Sequence, residues 1–166
     1  SLFLFFVTIR DFFGKNINIS QKISHFGFSL LILSILLNGV LAKEHSSNMR
    51  VGDEIKFLDK IIQFQNIEVI KKQNYQTLIG KFNIVDENNS LSLKPEIRIY
   101  DQPQTITSEA DISSTIFADN FLVFNIIKDD GFYNVRYQIK PFMIWIWISV
   151  LLISLGGILS LKKKNV

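Results

Sequence analysis

The stretch "NISQKISHFGFSLLILSILLNGVLA" (18–42) decides the fold. From position 23 onward it carries no formal charge for 20 residues. A second run, "PFMIWIWISVLLISLGGILSL" (141–161), covers 21 residues, again without a charge. At about 1.5 Å per residue each helix would reach roughly 30 Å, the thickness of a bilayer core. Both runs therefore predict transmembrane helices. Asn18 stands where it can cap the first, with Gln21 three residues on as the reciprocal partner. Pro141 suits the first turn of the second, and Trp145 and Trp147 lie where an aromatic belt sits. Gly156 and Ser160, with Gly157 beside them, form a small-xxx-small pair suited to close helix packing.

Charge gives the orientation. The chain has 166 residues and a net charge of +3. Arg10, Lys15, Lys22 and Lys162–Lys164 flank the two apolar runs, opposed only by Asp11. Residues 43–140 hold 12 basic and 14 acidic side chains, so the basic excess lies at the outer ends of the spans. A nucleic-acid binder concentrates that excess on a folded face, so nucleic acid is excluded as a partner. The positive-inside rule places both termini in the cytoplasm or matrix and 43–140 outside, in a periplasm-like space. Segment 1–18 is apolar but interrupted by Arg10-Asp11, and is expected to be a partial membrane or interfacial segment. Ser1 is not a methionine, which leaves open a trimmed chain, a processed chain or a fragment of a longer protein. Positions 162–166 form a basic cytoplasmic tail.

The outer segment reads as β. "EIKFLD", "IIQFQN", "IEVIKK", "YQTLIGKFNIV", "LSLKPEIRIY", "FLVFNII" and "FYNVRYQI" are β-branched and aromatic with partial alternation. "DENNS" (86–90) and "KDDG" (128–131) read as turns, and Asp130-Gly131 favours a tight hairpin. "TSEADISST" is expected to form one short helix capped by Thr107 or Ser108. The fold class is thus a membrane α+β protein: two transmembrane helices (19–42 and 141–161) flanking a small antiparallel β-rich domain, barrel or sandwich, at 43–140.

Little chemistry is available. There is no cysteine, which rules out disulfides, thiolate catalysis and thiolate metal sites within this chain. No phosphate-binding glycine loop, zinc-protease motif or hydrolase elbow occurs. Asp129 and Asp130 read as solvated turn residues. Lys94, Glu96, Arg98 and Tyr100 share one strand face by period-two alternation, which reads as a salt-linked outer face or a docking face for a partner. His45, in "KEHSSN", reads as a solvated surface residue. His25 is different, because it lies inside an apolar run. An imidazole there needs a partner, a cavity or a cofactor; the alternatives are a hydrogen bond to a neighbouring helix or a snorkelling position at the interface. His45 lies 20 residues on, roughly 30 Å along a helix, and cannot join His25 at one metal.

"ISHFGFSLLILSI", "QNY" (73–75), "LKPEIRIYDQPQTITSEADIS" and "KPFMIWIWISVLLISLGGILSL" occur in the order found at the C-terminal end of the CcmF/NrfE family of haem lyases, which this chain resembles over about residues 20–161. The resemblance implies a bacterial inner (plasma) membrane or mitochondrial inner membrane protein of cytochrome c maturation, which joins haem to the CxxCH cysteines of apocytochrome c. It implies an intramembrane b-type haem with one axial histidine from an earlier helix and one from an "HxG" helix. His25, in "SHFG", matches the second, which makes it the expected cofactor-binding and iron-ligating residue. The implied partners are the remainder of the haem lyase subunit, the haem chaperone, the apocytochrome thiol-handling subunits, apocytochrome c and the lipid bilayer. The family's tryptophan-rich segment, periplasmic haem histidines and first membrane ligand are absent, so this chain is not catalytically complete alone. Lys72-Gln73 replaces the family's Gly-Pro before Asn74-Tyr75, and "DNFLV" replaces "DLYV" with Asp119 kept. The alternative is a non-enzymatic membrane-anchored β domain acting as an envelope scaffold.

Overall fold

The computed structural model describes residues 2–14, 18–86, 89–127 and 131–164. Among these residues three helices are present: α1 (Leu2–Phe13), α2 (Ile19–Leu41) and α3 (Met143–Lys164). The ten strands are β1 (Lys43–Met49), β2 (Glu54–Phe57), β3 (Lys60–Lys71), β4 (Tyr75–Val85), β5 (Ser90–Leu93), β6 (Glu96–Tyr100), β7 (Thr105–Glu109), β8 (Asp111–Ser114), β9 (Ala118–Ile126) and β10 (Tyr133–Pro141). They divide into two units. One takes in the helices and the 114–119 turn; the other takes in 43–113 and 120–139.

In the helical unit α2 and α3 run antiparallel in close contact. Small residues make this possible. On α2, Ser20, Gly27 and Ser34 recur every seven positions and are buried, as are Ser149 and Gly156 on α3. A Cβ on Gly27 would lie 3.0 Å from the Ser149 carbonyl oxygen and the Ile153 nitrogen. One on Gly156 would overlap Ser24 Oγ and lie 2.8 Å from the Ser20 carbonyl oxygen. The backbones thus approach as far as glycine allows, and dispersion replaces a side-chain layer. Ser149 satisfies its hydroxyl on its own helix, donating to the Ile146 carbonyl at 2.6 Å. At the other end Asn38 Nδ2 donates to the Pro141 carbonyl at 2.6 Å. Phe142 then takes a left-handed φ of 60° to turn the chain from β10 into α3, a conformation costing about 1–2 kcal/mol in a bulky residue. α1 packs on α2 through Phe5 and Phe12, whose rings lie 5.8 and 6.0 Å from that of Phe26. Most of α3 remains exposed, and only a minority of α2 is fully buried.

Three sequence expectations are corrected here. Ser160 is exposed and Gly157 has nothing near it, so the small residues of α3 at the crossing are Ser149 and Gly156 rather than Gly156 and Ser160, and Gly156 meets Ser20 and Ser24 of α2. Asn18 occupies the N-cap position in an extended conformation, but its side chain makes no capping hydrogen bond. The "TSEADISST" segment is not helical. It forms β7 and β8, because Thr105–Glu109 pairs antiparallel with β6 from Tyr100↔Thr105 to Glu96↔Glu109. Tertiary pairing overrides the local cap signal.

The β unit has a four-stranded sheet, β1-β10-β9-β8, and a six-stranded one, β2-β3-β4-β6-β7, in which β5 also pairs with β4. β3 unites two stretches that read as separate strands. A register shift between Phe64 and Asn66 places a bulge at Gln65, so the core-facing positions run Ile62, Phe64, Ile67. "LSLKPEIRIY" is instead split at Pro95, which has no N–H to continue a ladder. Its carbonyl accepts from Gly80 N at 3.0 Å. Gly80 has no room for more: a Cβ would lie 2.7 Å from the Phe82 ring. Phe64 stacks on Phe82 at 4.3 Å, with Phe124 edge-on to both, at the centre of a core that includes Met49, Val135 and Tyr137. Residues 86 and 89 exchange backbone hydrogen bonds at the β4–β5 turn. Gly131 has φ +67°, while Asp129 and Asp130 lie outside the described residues.

Tyr137 is the largest buried side chain of this core and carries a polar group. Its hydroxyl donates to Asn120 Oδ1 at 2.6 Å. Burial pushes that hydroxyl up to about 12, and the charge of Asp86 acts in the same direction. The unfolded chain ionises near the ordinary value of about 10. Between these values the unfolded state binds fewer protons, so stability falls as pH rises. The contribution is fully present below about 10 and is lost by about 12. Thermal unfolding at stepped pH should show this loss. Tyr137→Phe should flatten that limb and cost about 1–3 kcal/mol at neutral pH, because Asn120 loses its donor.

The helix crossing gives a second expectation. Gly156→Ala should destabilise the helical unit by about 1–3 kcal/mol through overpacking. Gly157→Ala, into open space, should be neutral or stabilising through helix propensity. Melting temperatures of the two full-length variants in detergent check it; equal effects would contradict the packing described.

Candidate functional site

His25 lies on α2, six residues after its start. Gly27 faces α3, and at 100° per residue His25 points about 160° away from that contact. The imidazole is accordingly exposed on the side of α2 opposite α3. It opens into a cleft of about 240 Å3 shared with Leu4, Thr8 and Phe28. Phe28 is one helical turn further on, so it flanks the ring on the same face. Thr8 is already committed: its hydroxyl donates to the Phe5 carbonyl at 2.9 Å and shares a hydrogen bond with Ser29 Oγ at 2.6 Å. Among the described residues no group is hydrogen-bonded to the His25 imidazole. A second, wholly apolar cleft of about 400 Å3 is lined by Ile9, Phe12, Phe13, Ile23, Phe26 and Leu152.

The donor set is one imidazole among apolar side chains. No group of three or more His, Cys, Asp or Glu able to hold a metal ion occurs among the described residues. Such a set fits one face of a flat, largely apolar ligand whose central metal takes an axial nitrogen. It does not fit a bare ion, which needs several donors from the same wall.

The other candidates separate from His25. His45 is not a solvated exit residue: it is on β1, half-buried, with its ring stacked on Phe57 at 5.2 Å. "KEHSSNM" lacks β-branched residues but forms a strand through seven antiparallel pairs with β10, His45 opposite Tyr137. The face carrying Glu96, Arg98 and Tyr100 is salt-linked. Arg98 Nε donates to Glu96 Oε2 at 3.0 Å and its guanidinium lies 3.9 Å from Glu109 Oε1. The Glu96 hydrogen bond holds Arg98 above its ordinary pKa, and the linkage reads as structural. Leu4 and Thr8 were not legible as neighbours of His25, because the docking of α1 is a tertiary fact; Phe28 was, from its spacing of three.

Comparison with known proteins follows the same division. The family model described as "CcmF C-terminal beta-sandwich" matches residues 40–141. The cytochrome c-type biogenesis protein CcmF of Pseudomonas aeruginosa is 25% identical over 146 residues, covering 87% of this chain and 22% of that protein. The cytochrome c-type biogenesis protein ccl1 of Rhodobacter capsulatus is 29% identical over 149 residues, with the same coverage of 87% and 22%. A solved structure titled "Cytochrome c Heme Lyase CcmF" superposes with a TM-score of 0.66 at 14% identity, covering 93% of this chain and 27% of that one. At that identity the likeness concerns the fold. The chain spans about a fifth of the length of these curated relatives.

Proposed function

The chain belongs to the CcmF C-terminal β-sandwich family, and from that membership we propose that it is the C-terminal part of a haem lyase subunit for cytochrome c maturation, with His25 as one axial ligand of an intramembrane b-type haem. The observation that carries the reading is the outward, unpartnered imidazole of His25 in an apolar cleft on a helix long enough to span a bilayer. A buried soluble helix would hide such a ring or hydrogen-bond it.

His25 presents a nitrogen lone pair, and the α2–α3 crossing fixes the direction in which it is presented. Leu4 and Phe28 give the ring apolar neighbours on that face. A bound haem supplies one-electron chemistry there. The second ligand, the tryptophan-rich haem-handling segment and the site of attachment to apocytochrome c belong to the remainder of the subunit. The β unit then serves the haem-attachment assembly. The reading places α2 and α3 across the bacterial inner or mitochondrial inner membrane, with both termini on the basic, inner side.

In the full-length protein, His25→Ala should abolish or strongly weaken the six-coordinate b-haem absorption spectrum while the protein still inserts, since the change makes α2 more apolar. His45→Ala should leave the spectrum unchanged, because His25 lies sixteen residues before the end of α2, about 24 Å along the helix, and His45 is engaged with Phe57. A normal spectrum after His25→Ala would remove the ligand assignment. For topology, an exported reporter should be active when fused at Asn89 and inactive after Val166; the reverse pattern would overturn the orientation.

A further inference from the structure

The turn between β8 and β9 is built unlike a solvated one. It carries no charged side chain between Asp111 and Asp119. Thr115 and Ala118 close it with three hydrogen bonds: Thr115 N to Ala118 O at 3.0 Å, Thr115 Oγ1 to Ala118 O at 2.7 Å, and Ala118 N to Thr115 Oγ1 at 3.1 Å. Its two central residues are Ile116 and Phe117, 62% and 68% exposed. Turn centres are ordinarily Gly, Pro, Asn, Asp or Ser. Two adjacent large apolar side chains held at the tip of a turn suit an apolar surrounding.

The position of the turn indicates which one. Both central carbonyls are tied to the start of α3: Phe142 N donates to Phe117 O at 2.8 Å, and Trp145 Nε1 donates to Ile116 O at 2.9 Å. Trp145 is the third residue of α3, so the turn stands level with the first turn of that helix. The indole N–H of an interfacial tryptophan normally reaches for a headgroup acceptor. Here a protein carbonyl takes that place, and the exposed Ile116 and Phe117 adjoin the apolar surface of α3, on which Trp147 is 67% exposed.

We propose that Ile116 and Phe117, fixed by Trp145 and joined by Trp147, form a lipid-docking wedge seated at the headgroup–acyl boundary of the leaflet where α3 enters the membrane. The occupant is phospholipid, because the tip is continuous with the surface of α3 that faces the bilayer. The inference rests on the reading of α3 as a membrane span. The wedge adds interfacial area at one end of α3 and resists sliding of that helix along the bilayer normal.

The absence of cysteine from this chain allows a direct test. In the full-length protein with any other cysteines replaced, Ile116 and Phe117 are changed one at a time to cysteine and labelled with an environment-sensitive fluorophore. Leu151, Leu155 and Ile158, exposed along α3, serve as deep probes. The protein is placed in phosphatidylcholine–phosphatidylglycerol nanodiscs. A nitroxide near the headgroup should quench the 116 and 117 labels at least twofold more than aqueous iodide does. Stronger quenching by iodide would overturn the wedge, as would quenching by neither, which would mean another part of the protein covers the tip. A deep probe quenched by a nitroxide far down the acyl chain upholds the span, so failure at 116 and 117 would then count against the wedge alone. Failure of all deep probes would overturn the span reading and the wedge with it.

Discussion

The helical unit depends on one constraint: two long apolar helices approach until backbone meets backbone. In the proposed bilayer setting the hydrophobic effect would not supply this association, because lipid tails are as apolar as leucine. What remains is dispersion between closely apposed surfaces, which small residues at seven-residue spacing provide at Ser20, Gly27 and Ser34 on one side and Ser149 and Gly156 on the other. A bulky residue at either glycine would separate the helices along their length. The rotation of α2 about its axis, and hence the direction of His25, follows from this contact.

The consequence for function is a division of faces. One side of α2 is consumed by α3, and the opposite side carries the imidazole with Leu4, Thr8 and Phe28 around it. A histidine on the packed face would have neither room nor lone pair to offer. The β unit is stabilised by different physics: a stacked and edge-on aromatic cluster around Phe64, Phe82 and Phe124, with the Tyr137–Asn120 hydrogen bond satisfying the polar group that burial would otherwise strand.

Much of this was legible in the sequence. Two uncharged runs gave the long helices, and alternation gave most of the strands. The failures have physical causes. β3 was read as two strands because the bulge at Gln65 resets the alternation between Phe64 and Ile67. β1 was missed because a polar strand such as "KEHSSNM" is held by its ladder to β10 rather than by its own side chains. β7 and β8 were read as a helix because Thr and Ser followed by acidic residues imitate a cap, and only pairing with β6 decides against it. The position of His25 was visible, but its outward aim was not, since that depends on which residues of α2 meet α3.

The central claim is that α2 presents His25, on the face away from α3, as a haem ligand. The most direct measurement is a density map of the full-length protein isolated with its haem. The account predicts macrocycle density beside Leu4 and Phe28, with the His25 imidazole continuous with the iron and a histidine from another helix opposite. A map showing His25 hydrogen-bonded to a neighbouring helix, with the haem elsewhere, would contradict it.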